Sequence, residues 1–191
     1  MEFNWAKKVI EKYSHLTENE WKNFLNYAKT IKLKPKEEFF KAGEVADKAG
    51  FLKNGILRAY QLDEDGNIST SYFYYTPKND VVTLHTSFSQ NQPSEHTVEA
   101  ITDCEILYIE KEDILYLYNN FHTFEKLGHK IAEKHYLEGS KRINSLQTKN
   151  AKQRYYEFLE ESPELILKVP QNMIASYLGI SQFTLSKIKN E

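Results

Sequence analysis

The chain has 191 residues, 40% of them hydrophobic and 27% charged, the proportions of an ordinary soluble protein with enough material for one large domain or two small ones. Its single cysteine, Cys104, excludes an internal disulfide and a multi-cysteine metal site, is compatible with a reducing compartment, and reads most simply as a small buried strand residue. A formal net charge of −2 argues against a protein that coats nucleic acid, no apolar run approaches the ~20 residues that cross a bilayer, and the start Met1-Glu-Phe-Asn-Trp5 lacks a secretory pattern; a cytoplasmic protein with no membrane partner is expected.

Residues 3–15 read as a short helix, and Thr17-Glu-Asn-Glu20 is a capping box that opens a second one through Trp21, Phe24, Leu25 and Ala28. From Ile31 the hydrophobic pattern shortens to strand-like runs at residues 31–34, 38–41, 50–53, 56–62 and 68–75, separated by Lys34-Pro35, Ala42-Gly43, Asn54-Gly55 and Asp65-Gly66. Asn54-Gly55 and Asp65-Gly66 supply residues that tolerate positive φ and suit tight hairpin turns. Two further strands are predicted at 96–101 and 105–109. Many short strands at regular spacing predict an antiparallel roll or sandwich with Tyr and Phe filling much of its core.

Residues 111–118 read as a short helix and 121–146 as a long one without proline. Phe124, Leu127 and Ile131 mark one apolar strip of the long helix; Gly128, Ala132, Tyr136, Gly139, Ile143 and Leu146 mark a second face with small residues along it. A helix apolar on two sides must bury both, one on its own roll and one on something else. Residues 149–160 make another helix, and 164–169 a short connection.

Pro170-Gln-Asn-Met-Ile-Ala-Ser-Tyr-Leu-Gly-Ile-Ser181 then carries Met173, Ile174, Tyr177 and Leu178 at helical spacing. Gly179 permits a left-handed turn, and Ser181 caps a second helix that turns Leu185 and Ile188 inward. Two short amphipathic helices joined by such a turn form a helix-turn-helix, the unit that places a recognition helix in the DNA major groove and that also occurs as a plain structural corner. Its exposed face is Gln182, Phe183, Thr184, Ser186, Lys187 and Lys189. Residues 141–191 hold eight Lys or Arg against five Glu (+3), leaving 17 basic and 22 acidic residues (−5) before them, a polarity that fits local DNA contact near the C-terminus.

Ile174-Ala-Ser-Tyr-Leu-Gly-Ile-Ser181 followed by Thr184-Leu-Ser-Lys187 resembles the C-terminal DNA-binding segment of the Crp/Fnr superfamily of bacterial transcription regulators. Upstream, Gly43-Glu-Val-Ala-Asp-Lys-Ala-Gly50 and Asn54-Gly55-Ile-Leu-Arg-Ala-Tyr60 resemble the glycine-spaced opening of that family's cyclic-nucleotide-binding roll, in the right order. The resemblance runs from about residue 17 onward. It implies an α+β fold: an N-terminal antiparallel β-roll of the double-stranded β-helix or jelly-roll kind at 1–120, a long dimerisation helix at 121–146 and a helix-turn-helix domain at 147–191. The implied protein is a homodimer joined through Phe124, Gly128, Ala132, Tyr136, Gly139 and Ile143. It binds a palindromic double-stranded operator, with RNA polymerase as a further partner.

The same resemblance places the effector pocket at Leu84, His85, Ser94, Glu95, His96 and Thr97, with Gly139 and Ser140 on the long helix. In members that respond to cyclic AMP, a Gly-Glu pair takes the ribose and an Arg-Ser pair the phosphate. Those pairs fall here on Thr83-Leu84 and Ser94-Glu95, and the base-reading pair on Gly139-Ser140, so cyclic AMP is not the expected effector and no cofactor is predicted. Protonation of His85 or His96 is the one substitute for the missing arginine. At Gln182, Phe183 and Lys187 the chain also departs from the Arg, Glu and Arg the family commonly uses to read bases. Gln182 pairs with adenine, Thr184 and Ser186 reach phosphate or a thymine methyl, and Phe183 offers apolar contact only. The chain stops at Glu191, directly after the recognition helix, without the β-wing of some members.

Two other classes compete. A metal-dependent β-roll enzyme would draw on His85, His96, His122, His129 or His135, with His85 on a loop and His96 on a strand. None of these forms an H-x-H or H-E-x-x-H pair, so no metal site and no catalytic residue is expected, and no nucleotide-binding loop or nucleophile elbow is present. A regulator-like dimer that has lost sequence-specific reading is the other alternative.

Overall fold

The computed structural model describes residues 3–190. Met1 and Glu2, from the start that lacks a secretory pattern, and the terminal Glu191 lie outside the described residues. The chain divides into two compact units, one made of the residues up to Ala59 with Phe73–Lys134, the other of Tyr60–Tyr72 with His135 onward. These bounds differ from the expected division at 120 and 146: the long helix contributes to both units, and the hairpin at 60–72 belongs with the C-terminal helices.

In the first unit α1 (Asn4–Glu11) and α2 (Glu18–Tyr27) precede the strands. The Thr17 hydroxyl accepts from the Glu20 amide while the Glu20 carboxylate accepts from the Thr17 amide, the reciprocal cap read from the sequence. The strands β1 (Lys29–Leu33), β2 (Glu38–Phe40), β3 (Lys48–Asn54), β4 (Ile56–Leu62), β5 (Ile68–Tyr75) and β6 (Val81–Val82) follow. After α3 (His85–Gln90) come β7 (Thr97–Ala100) and β8 (Cys104–Glu110). They form two four-stranded sheets, β1-β8-β3-β6 and β2-β7-β4-β5, in which β8 runs antiparallel to β1 and β3, β6 to β3 and β7 to β2: Ile31 and Leu52 flank Ile106, and Phe51 faces Leu107. This is the expected roll.

One turn is corrected by this topology. β3 and β4 lie in different sheets, so Asn54-Gly55 is a corner between sheets and not a hairpin. Gly55 has φ +98°, and a Cβ there would lie 2.5 Å from the Asp103 carbonyl and from Cys104 Sγ. Asp65-Gly66 does turn a hairpin, between β4 and β5, with Gly66 at φ +79° and the Asp63 carboxylate accepting from the amides of Asp65 and Asn67. Cys104 is buried and free as expected, its thiol pushed up to about 11 chiefly by burial.

Helices α4 (Lys111–Asn120) and α5 (His122–Thr148) follow the roll. Phe124 and Leu127 of α5 join Phe24, Phe51, Leu107 and Leu117 in the core of the first unit. Phe24 stacks on Trp21 at 5.2 Å and on Phe124 at 6.2 Å, and meets Phe51 edge-on at 5.8 Å.

The second unit holds the remainder of α5 with α6 (Ala151–Glu161), α7 (Pro163–Lys168), α8 (Gln171–Leu178) and α9 (Gln182–Lys189). The segment expected as a plain connection is therefore helix α7, with Pro163 in its first turn where a missing amide donor costs nothing. Tyr155, Phe158, Leu165, Ile174, Leu178, Leu185 and Ile188 are buried among these helices. Among the described residues no helix is long and apolar enough to cross a membrane.

Candidate functional site

Helices α8 and α9 build the first site. α8 ends where Gly179 takes φ +64°, and α9 begins where the Ser181 hydroxyl accepts from the Thr184 amide at 3.0 Å. Leu185 and Ile188 face inward, at 1% and 7% exposure, which leaves Phe183 81% exposed on the opposite side. Gln182, Ser186, Lys187 and Lys189 are exposed as expected; Thr184 is half-buried and its hydroxyl is bonded to Ser181 at 2.8 Å, so it serves the cap before any ligand. Asn190, which the sequence reading passed over, is exposed at the end of the same face.

The parts that hold this motif were not legible beforehand. Ser176 on α8 donates to the Ile68 carbonyl and accepts from the Thr70 amide, both at 2.8 Å, so α8 is pinned to the β4–β5 hairpin. Arg142 on α5 donates to the Tyr177 carbonyl at 2.6 Å and to the Thr70 carbonyl at 3.0 Å. Arg154 on α6 donates to the Leu178 carbonyl at 2.9 Å, satisfying a group that the helix end leaves open.

The long helix carries the second set of residues. Of those expected on its partner-facing side, Tyr136 is 72% and Ile143 58% exposed, and Gly139 is exposed with open space where a side chain would stand. Ala132 is half-buried. Phe124 and Gly128 are corrected: Phe124 is 2% exposed in the core of the first unit, and a Cβ on Gly128 would lie 2.2 Å from the Tyr118 hydroxyl, so both face inward. A helical drift of 100° per residue carries the 124 and 128 positions off the face set by 136 and 143.

The expected effector residues of the first unit differ in exposure and in hydrogen bonding. Leu84 is half-buried before α3; His85 is exposed and begins that helix, where a loop was expected; His96 lies in the turn before β7, not on the strand. Ser94 is buried, with its hydroxyl accepting from the His96 amide at 2.9 Å, and Thr97 is buried, with its hydroxyl accepting from the Ala42 amide at 3.2 Å. Glu95 is exposed, and burial holds the His96 imidazole below its usual range, against the pull of Glu95, so it is neutral at pH 7. Burial thus works against a protonated His96 in place of the missing arginine. Arg58, a buried guanidinium of the roll, is paired with Glu99 at 2.7 Å. Gly139 and Ser140 belong to the other unit and are exposed; beside them the Glu138 carboxylate accepts from the Tyr72 hydroxyl. Among the described residues no group of three or more His, Cys, Asp or Glu is placed to hold a metal ion.

Residues 30–121 match the family model of the cyclic nucleotide-binding domain. No curated protein matches the sequence. Among solved structures, FixK2 from Bradyrhizobium japonicum is similar at a TM-score of 0.75 and 19% identity, over 85% of this chain and 83% of that one. The c-di-GMP-responsive global regulator CLP of Xanthomonas campestris is similar at 0.71 and 15%, over 91% and 90%. The catabolite activator protein of Thermus thermophilus is similar at 0.58 and 16%, over 92% and 83%. Residues 30–121 are therefore similar to the cyclic nucleotide-binding domain, and the chain shares its fold with these three solved structures.

Proposed function

We propose that the chain is a homodimeric, DNA-binding transcription regulator of the Crp/Fnr type, acting in the cytoplasm, whose roll does not take cyclic AMP in the family's usual way. The observation that carries this reading is the outer face of α9, where Phe183 is 81% exposed between Gln182 and two lysines on a motif whose inner side is fully packed. A large apolar ring left in water beside hydrogen-bonding and basic groups suits a surface that meets base edges and phosphates. The exposed Tyr136 and Ile143 on α5 supply the second apolar face that a two-fold partner would cover. RNA polymerase is a further partner on this reading.

Against cyclic AMP stand the exposed carboxylate of Glu95 and the neutral His96, together with the engagement of Arg58 by Glu99. Two like charges ~4 Å apart at an effective dielectric of ~20 repel by about 4 kcal/mol, so Glu95 near a cyclic phosphate would oppose binding.

Selection from random duplex DNA with the purified full chain tests the function. The expected product is a palindrome with half-site centres roughly 34 Å apart. Recovery of no enriched sequence, with binding abolished by competitor DNA, would leave the interaction-protein alternative instead.

A further inference from the structure

Between one sheet of the roll and the helices that cover it lies a cavity of about 80 Å³, wholly within the first unit. Phe51 and Val81 line it from the sheet, Leu117 from α4, and Phe124 and Leu127 from α5. No charged side chain lines it. Its polar groups are the hydroxyls of Thr83 and Tyr118, and neither has a hydrogen-bond partner among the described residues; only the Thr83 carbonyl is used, by Tyr74 at 2.7 Å. Burial alone pushes the Tyr118 phenol up, with no hydrogen bond acting on it.

Two hydroxyls without a protein partner on one apolar cavity leave hydrogen-bonding capacity free for whatever occupies it. The ring of Tyr118 is held there by Gly128, which has no side chain to displace it. The adjacent cation, Lys111, lies over the Phe88 ring and is bound to the Phe88 carbonyl and to Asn91 at 3.0 Å, so it is engaged outside the cavity. The volume is about half that of an engineered ~150 Å³ cavity that takes benzene. Half-buried Ala49 and Ile114 form a margin at which a ligand extends outward.

We propose that this cavity binds a small uncharged molecule, an apolar ring or short chain bearing one hydroxyl or carbonyl group. The ring or chain lies against Phe51, Leu117 and Leu127, and its polar group exchanges a hydrogen bond with Tyr118 or Thr83. A carboxylate or a phosphate is disfavoured, because no cation in the lining offsets its desolvation. Of the positions expected to hold a cyclic nucleotide the cavity shares Thr83 alone, and the proposal does not rest on DNA binding.

The test is titration of the full chain with phenol, followed by the methyl resonances of Val81, Leu117 and Leu127. Saturable shifts of these methyls are expected. Ala49→Leu, or Ile114→Phe should that variant fail to fold, fills the space and lowers phenol affinity at least about tenfold. Tyr118→Phe lowers it about two- to tenfold, the worth of one neutral hydrogen bond, while leaving toluene binding unchanged. Benzoate at neutral pH binds at least about tenfold more weakly than phenol. Non-saturating or absent shifts in the wild type, undiminished binding in a folded filling variant, or benzoate binding equal to phenol would overturn the assignment.

Discussion

The guanidinium carbon of Arg142 lies 4.0 Å from the ring centroid of Tyr177 and the same side chain donates to the Tyr177 carbonyl at 2.6 Å. With its second bond to the Thr70 carbonyl, one arginine on α5 joins the first helix of the helix-turn-helix to the β4–β5 hairpin. Arg142→Ala removes two charge-assisted bonds and leaves two carbonyls without that donor, at a cost of about 3 kcal/mol. Hydrogen exchange should show lost protection in α8 and in the hairpin, with the amides of β3 and β8 unchanged. Arg142→Lys should recover part of it, since an ammonium lacks the planar, spaced donors with which the guanidinium reaches both carbonyls.

Two positions on α5 should separate assembly from folding. Ile143→Glu places a charge on an exposed position, so the protomer stays folded and sediments as a monomer. Phe124→Glu drives a carboxylate into the aromatic core beside Phe24 and costs about 4 kcal/mol, so thermal unfolding should report a loss of structure. A wild type that sediments as a monomer at micromolar concentration would end the dimer proposal.

On the recognition helix, Gln182→Ala should cost about 1 to 3 kcal/mol and relax preference at one base position. Lys189→Ala should instead weaken binding to every sequence alike and flatten its salt dependence. Affinity measured across single-base operator variants distinguishes the two; equal losses everywhere for both would contradict the assignment.

Calorimetry with cyclic AMP and cyclic GMP should show no saturable binding below roughly 10 μM, about −7 kcal/mol on the standard conversion. Replacing Glu95 by Gln removes the opposing charge without adding a phosphate-binding fork, and should not create tight binding.

The two positive-φ glycines at the ends of β4 should differ sharply. Gly66→Ala costs about 1 kcal/mol of backbone strain, because nothing stands within 4 Å of the new Cβ. Gly55→Ala adds a collision with the Asp103 carbonyl and Cys104 and should cost about 3 kcal/mol. Urea midpoints of the two variants check the contrast.

Local signals were legible in the chain because their causes are local. The Thr17–Glu20 capping box, the Asp65-Gly66 turn, the spans of β4 and β5, and the Gly179 and Ser181 punctuation of the helix-turn-helix each rest on residues within a few positions of one another. Periodicity likewise placed Leu185 and Ile188 inward and Phe183 outward. What it left undecided needed partners distant in sequence. Asn54-Gly55 has the residues of a hairpin, and only the pairing of β3 with β8 shows that the chain there crosses between sheets. Gly128 reads as one more small residue of an interface stripe until Tyr118, ten positions earlier, occupies the space beside it. The two-residue strand β6 is too short for any period, and the bonds of Ser176 and Arg142 to the hairpin span more than seventy residues. Hydrogen-bond and packing partners at that separation leave no pattern in the sequence, since almost any serine or arginine can make them once the fold brings the carbonyl within reach.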